Sequence, residues 1–104
     1  MINSQMSMYP YFLYSDEPDI YGQQTLIKDE NGEPVIQGTV KLAINTSSTA
    51  IQENIRYKEA TYIALTMDAN ISDKYVIQYG DERLKVLYVN PLGRYKQVFL
   101  NTYG

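Results

Sequence analysis

KYVIQYGDERLKVLYVNPLGRYKQVFL, residues 74–100, reads as three short strands joined by two tight turns. Tyr75, Ile77 and Tyr79 alternate with Lys74, Val76 and Gln78, the period of two that turns one side of a strand to a core and the other to solvent. Leu84, Val86 and Tyr88 alternate in the same way with Arg83, Lys85 and Leu87. Gly80-Asp81 between them suits a type II′ hairpin, because glycine takes positive φ without a Cβ clash. Asn90-Pro91-Leu92-Gly93 is expected to form the second turn, where the fixed φ of proline helps. Residues 97–100 close an antiparallel meander.

Outward from this stretch the same signals recur. Residues 59–67 alternate Tyr62, Ala64 and Thr66 with Thr61, Ile63 and Leu65, and residues 68–73 (DANISD) lead from that strand into the meander. Residues 35–45 form another expected strand, with Val40, Leu42 and Ile44 as its inward set and Gly38 marking a bulge or bend. Residues 24–28 read as a short strand before a turn at 29–34 that carries the Asn31-Gly32 hairpin signal. Residues 7–14 (SMYPYFLY) fit either a first strand, at an edge because of Pro10, or an arm lying on the barrel or on a neighbour. We therefore expect an N-terminal aromatic arm and acidic turn over residues 1–22 and one barrel domain over 23–104. Six or seven short strands, each bounded by turn chemistry, favour an all-β fold, a small antiparallel β-barrel or sandwich.

Between the strands at 35–45 and 59–67 lies a polar segment, Thr46-Ser47-Ser48-Thr49-Ala50-Ile51-Gln52-Glu53-Asn54-Ile55-Arg56. Thr49 and Gln52 have capping-box spacing and Ile51 and Ile55 stand four apart, enough for two helical turns at most. A long mobile loop fits equally well.

Composition removes most catalytic chemistry. The chain of 104 residues has no cysteine and no histidine, so disulfides, thiolate sites, the usual general base and the commonest transition-metal ligand are absent together. Carboxylates remain, but those at Asp16, Glu17, Asp19, Asp29, Glu30 and Glu33 sit in expected turns, where such groups are ordinarily solvated. Residues 68–73 lack the glycine and the twelfth-position glutamate of a calcium loop. The reading is no enzyme, no metal and no cofactor. No signal peptide or membrane span is evident, which points to synthesis in the cytoplasm and no membrane partner.

The net charge of −3 is unevenly spread: two basic and six acidic residues precede residue 51, while seven basic and six acidic follow. That is not the basic footprint of a nucleic-acid-gripping protein. Lys74, Arg83, Lys85, Arg94 and Lys96 do interleave with tyrosines, as on a single-strand-binding OB face. Strict alternation, however, puts Lys85 on the opposite side from Tyr88. Eleven tyrosines against two phenylalanines suit half-buried strands and protein interfaces.

The order of segments over the last sixty or so residues resembles the head-closure proteins of long-tailed bacteriophages, also called stoppers or head–tail adaptors. The matching features are a strand, the polar segment with Gln52 to Arg56, and the tyrosine strand Thr61-Tyr62-Ile63. The acidic link 68–73 with its isoleucine follows, then the hairpin from Tyr75-Val76-Ile77-Gln78-Tyr79 into Leu84-Lys85-Val86-Leu87-Tyr88, ending in Asn90-Pro91 and Gly93. The resemblance implies a barrel that assembles as a homo-oligomeric ring, typically of about twelve copies, in the virion neck. Its partners would be a portal or adaptor protein above, a tail-completion or tail-terminator protein below, and genomic double-stranded DNA passing without sequence-specific contact. By position, the channel-gating loop falls on residues 46–56. Tyr9, Tyr11, Phe12, Tyr14, Pro91, Leu92 and Arg94 are expected to face a neighbouring subunit or partner, so that deleting residues 1–14 should impair assembly more than folding. Alternatives are another phage structural barrel, such as a minor capsid or tail-completion protein, or an OB-type single-strand binder.

Overall fold

The computed structural model describes residues 6–46 and 60–103. Its strands are β1 (Ser7–Leu13), β2 (Gly38–Thr46), β3 (Tyr62–Thr66), β4 (Tyr75–Tyr79), β5 (Glu82–Leu92) and β6 (Tyr95–Thr102). Every pairing is antiparallel, and the order β1-β2-β3-β6-β5-β4 closes on itself. The fold is thus an all-β closed barrel, the class that the meander implies.

The closing strand is β1, which pairs with β2 through Ser7–Tyr11 and with β4 through Tyr11–Leu13. The aromatic stretch is therefore a wall of the barrel, and the expected boundary at residue 22 does not separate an arm from a domain. Pro10 lies opposite Thr39, just past the point where the β4 ladder stops at Tyr11↔Ile77, so its missing N–H costs no bond on that side. Among the described residues every strand has a neighbour on both sides, which removes the free edge strands that make small β proteins prone to pair with one another.

Alternation fills the interior. Val40 and Leu42 from β2, Ala64 from β3, Ile77 from β4, Leu84 and Val86 from β5, and Val98 and Leu100 from β6 form one buried cluster. Leu42, Ile77, Leu84 and Leu100 are fully buried, each contributing roughly 1.5–3 kcal/mol of transfer free energy. Thr66 is the buried polar residue of the wall, and it is satisfied: its hydroxyl donates to the Lys41 carbonyl at 2.8 Å and accepts from the Asp68 N–H at 3.0 Å.

The two rims are closed differently. At one, Tyr9, Tyr62 and Tyr79 gather, with ring centroids 5.8 Å apart for Tyr9–Tyr79 and 5.4 Å for Tyr62–Tyr79. Here β4 turns into β5, β2 ends and β3 begins, with Thr46 paired to Tyr62. At the other, Ile71 from the 67–74 loop enters the core, and Tyr75 stacks on Tyr11 at 4.2 Å with rings 14° from parallel. Residues 14–37 and the β5–β6 hairpin tip belong to this second rim, since Leu13 pairs with Tyr75, and Thr66 with Lys96.

Five local expectations change. The β4–β5 turn is Gly80-Asp81 as expected, with positive φ at Gly80 alone, but the next turn is Gly93-Arg94. Asn90 and Pro91 stay in β5, paired with Gln97 and Lys96 past the end of the β4 ladder, where proline is tolerated. A bulge between Val86 and Tyr88 inserts Leu87 and reverses the alternation, so Tyr88 faces outward beside Phe99 at 6.5 Å. Lys85 pairs with the outward Val76 and shares that outer side, which overturns the placement of Lys85 and Tyr88 on opposite faces. Residues 24–28 make only isolated bridges (Tyr14↔Leu26, Lys28↔Pro34), and β2 begins at Gly38 rather than residue 35. Gly38 marks a close approach instead of a bulge: a Cβ there would meet Cε2 of Tyr11 at 3.2 Å.

Candidate functional site

The interior of the barrel is occupied by its own side chains, so any functional surface must lie on the connections or the outer wall. Residues 14–37 are the longest connection described. They carry six carboxylates and one lysine, Lys28. Two turns within them have the same backbone. In residues 19–23 (DIYGQ), Asp19 Oδ1 accepts the N–H groups of Tyr21 and Gln23 at 2.8 and 2.9 Å, and Gly22 has φ of +79°. In residues 29–33 (DENGE), Asp29 Oδ1 accepts those of Asn31 and Glu33 at 2.9 and 3.0 Å, and Gly32 has φ of +81°.

Main-chain bonds repeat too: Gly22 N–H to Asp19 O and Asp19 N–H to Gln23 O in one turn, Gly32 N–H to Asp29 O and Asp29 N–H to Glu33 O in the other. Each is a three-residue loop with its glycine in the left-handed region, so Asn31 keeps negative φ and the expected two-residue Asn-Gly turn does not form. The D-x-x-G-x repeat, ten residues apart, is the sequence signal for this pair.

The two turns present different residues. The second carries Glu30 and Asn31. The first carries Ile20, 90% exposed, and Tyr21, 81% exposed. Sequence reasoning did not single out Ile20 or Tyr21, because a lone Ile-Tyr pair has no period to mark it.

Across the barrel, the β5–β6 tip exposes Leu92 and Tyr95, which are direct cross-strand partners, and Met67 stands exposed next to them at the end of β3. Arg94 is exposed in the turn, and Lys96 reaches over the rim to donate to the Ala69 carbonyl at 2.7 Å. From residue 83 to 96 there are four cations (Arg83, Lys85, Arg94, Lys96) and no carboxylate. Arg83 is engaged, donating to Gln78 Oε1 at 3.2 Å and lying 5.0 Å over the Phe12 ring.

Of the expected interface residues, Pro91, Leu92 and Arg94 come together on this tip and are exposed. Tyr9, Tyr11, Phe12 and Tyr14 all make contacts within the chain. Tyr9 and Tyr11 pack on the inner core. Phe12 is buried under Leu26 beside Val76, and Tyr14 packs there against Tyr103 at 6.1 Å. Residues 14–37 fold back over the outer side of β1 at Phe12, while Met8 on that side stays exposed. The expected channel-gating residues 47–56 lie outside the described residues; Thr46 is the last residue of β2.

Titratable groups in the wall are held for structure. Burial pushes the Tyr75 phenol up to about 12, aided by its hydrogen bond with Tyr11 and by the charge of Asp68. Burial also raises Tyr14, with Tyr103 and Asp73 adding to it. The Tyr62 hydroxyl donates to Glu82 Oε2 at 3.1 Å, and that bond is the main reason its pKa rises. Asp68 uses Oδ1 to accept the Asn70 N–H at 2.8 Å, so the 68–73 link is an Asx turn feeding Ile71 into the core. Among the described residues no group of three or more histidines, cysteines or carboxylates is placed to hold a metal ion. An open depression of about 600 Å³ lies between Tyr14, Asp16, Gly22 and Lys74, with mixed polarity and one charge of each sign. No helix among the described residues is long and apolar enough to cross a membrane.

No family model matches the chain, and no curated protein matches it significantly. What the geometry defines is a filled barrel with two opposite-sign, partly apolar projections on one rim.

Proposed function

We propose that the chain is a neck protein of a long-tailed bacteriophage, a non-enzymatic barrel that forms a ring below the portal. In this role it closes the DNA exit after packaging and offers a docking face to the tail. The observation that carries the reading is how connections are distributed on a filled barrel. The long β1–β2 connection leaves from one rim and β2 ends at the other, while β3 to β6 are joined by tight turns or a short loop. A scaffold filled by its own side chains, with attachments at both ends, suits a component held between neighbours along an axis. The resemblance of residues 40–100 to stoppers supports the same assignment, and assigns the channel side to residues 46–56. An acidic chain neutralises few phosphates, so DNA slides past it.

The shared outer face of Lys85 and Tyr88 favours one competitor, an OB-type single-strand binder. Native mass measurement of the protein alone and with a portal separates the two. A ring, or stoichiometric docking on the portal, is expected. A monomer that ignores the portal and binds single-stranded DNA with steep salt dependence sinks the neck reading. A different phage barrel, such as a tail-completion protein, would bind tail components and leave the portal alone.

A further inference from the structure

We infer that the Ile20–Tyr21 turn of one copy docks on the β5–β6 tip of the next copy, forming a heterologous contact. The inference rests on the neck reading only for the choice of a second copy as occupant. The knob and its receiver are set out in the chain itself. Ile20 and Tyr21 are held on a turn braced through Asp19, so their exposure is a property of an ordered element. The twin turn at 29–33 shows that this backbone is equally served by Glu30 and Asn31, so turn geometry does not demand two large apolar residues in solvent. Large apolar side chains ringed by polar ones mark contact sites, and tyrosine is among the residues that dominate them.

Charge identifies the occupant. Asp16, Glu17 and Asp19 precede the knob in the chain, within a connection that carries six carboxylates and one lysine. The tip presents Leu92, Tyr95 and Met67 with Arg94 and Lys96, the cations that flank its turn, while Arg83 and Lys85 stand at the start of β5 by the opposite rim. One surface is acidic and apolar and the other basic and apolar, so each repels its own kind and fits the other. The β1–β2 connection and the β5–β6 hairpin arise three strands apart in the circular order, the greatest separation a six-strand barrel allows. Two complementary patches rooted on opposite seams of one rim make a head-to-tail contact, which closes as a ring when the rotation permits.

The test uses the full chain, with Tyr21→Asp as the knob variant and Arg94→Glu as the tip variant. Both sites are exposed, and an unchanged melting curve confirms each fold. Light scattering and native mass should show wild-type assembly that weakens with salt, and at least about tenfold weaker self-association for either variant. An equal mixture of the two variants retains one intact contact per pair and should stop at a dimer. If wild type assembles and both variants assemble equally well, the contact is overturned and the ring survives. If wild type stays monomeric at every concentration and on the portal, the ring reading fails and the contact with it. If the mixture forms full-size assemblies, the contact is not head-to-tail.

Discussion

The barrel wall and the 14–37 connection are both ordered, but by different physics. The wall is held by apolar side chains removed from water: Leu42, Ile77, Leu84 and Leu100 are fully buried from four different strands. The connection has one deeply buried apolar residue, Leu26, and otherwise depends on main-chain bonds and two carboxylates that cap backbone N–H groups. Burial is cooperative across the barrel, because each side chain touches several strands. Capping is local, because Asp19 and Asp29 each serve only their own loop. The difference teaches that damage should spread in the first region and stay confined in the second.

The largest contrast comes from removing residues 1–14. That deletion takes out β1, the strand that closes the barrel, together with Tyr9, Tyr11 and Leu13 of the core and Phe12 of the outer cluster. Each large core side chain is worth about 2–5 kcal/mol when truncated, and whole domains hold only about 5–15 kcal/mol. The shortened chain is expected to lose its near-ultraviolet circular dichroism and cooperative melting altogether. A folded monomer that merely fails to assemble would instead support the view of residues 1–14 as an arm.

How much of this was legible depends on periodicity. The meander, the inward set Val40, Leu42 and Ile44, and the Gly80-Asp81 turn follow from a period of two and a glycine, and the structure has them. The bulge at Leu87 was not legible, since one inserted residue leaves composition unchanged while flipping every side chain after it. Misplacing Tyr88 followed directly. Residues 7–14 were legible only as a strand or an arm, because Phe12 is covered outside by Leu26 while Tyr11 packs inward, so no clean alternation shows. Ile20 and Tyr21 were invisible for a third reason: their turn is specified by Asp19 and Gly22, and the residues between are free to vary.

An intermediate effect comes from pH, and it reports on the wall alone. Tyr75 holds its proton up to about pH 12 in the folded state, against about 10 for an ordinary tyrosine. Below the lower value both states are protonated and the contribution is complete. Above it the unfolded chain ionises while Tyr75 in the wall does not, so stability falls as pH rises through the interval. Tyr14, raised mainly by burial, acts in the same direction. Melting temperature measured across the interval should decline, and Tyr75→Phe should flatten part of that decline while keeping the ring stacked on Tyr11. An equal slope in the variant would mean that the stacked pair is not the source.

The smallest effect is the most discriminating, because the twin turns provide their own control. Asp19→Ala and Asp29→Ala each remove a carboxylate that accepts two backbone N–H groups, a loss of about 0.5–2 kcal/mol when such a cap is truncated. Both losses should remain local. Amide exchange should speed at Tyr21 and Gln23 in the first variant and at Asn31 and Glu33 in the second, with Leu84, Val86 and Leu100 unchanged in both. Since the two loops share one geometry, the exchange rates should rise by similar factors. Assembly should not follow that symmetry. If the Ile20–Tyr21 turn is the docking element, loosening it weakens self-association, while loosening the 29–33 turn leaves it intact. Equal weakening by both would assign the contact to the acidic charge of the connection as a whole, since each variant removes one carboxylate, and would take the specific role away from Ile20 and Tyr21.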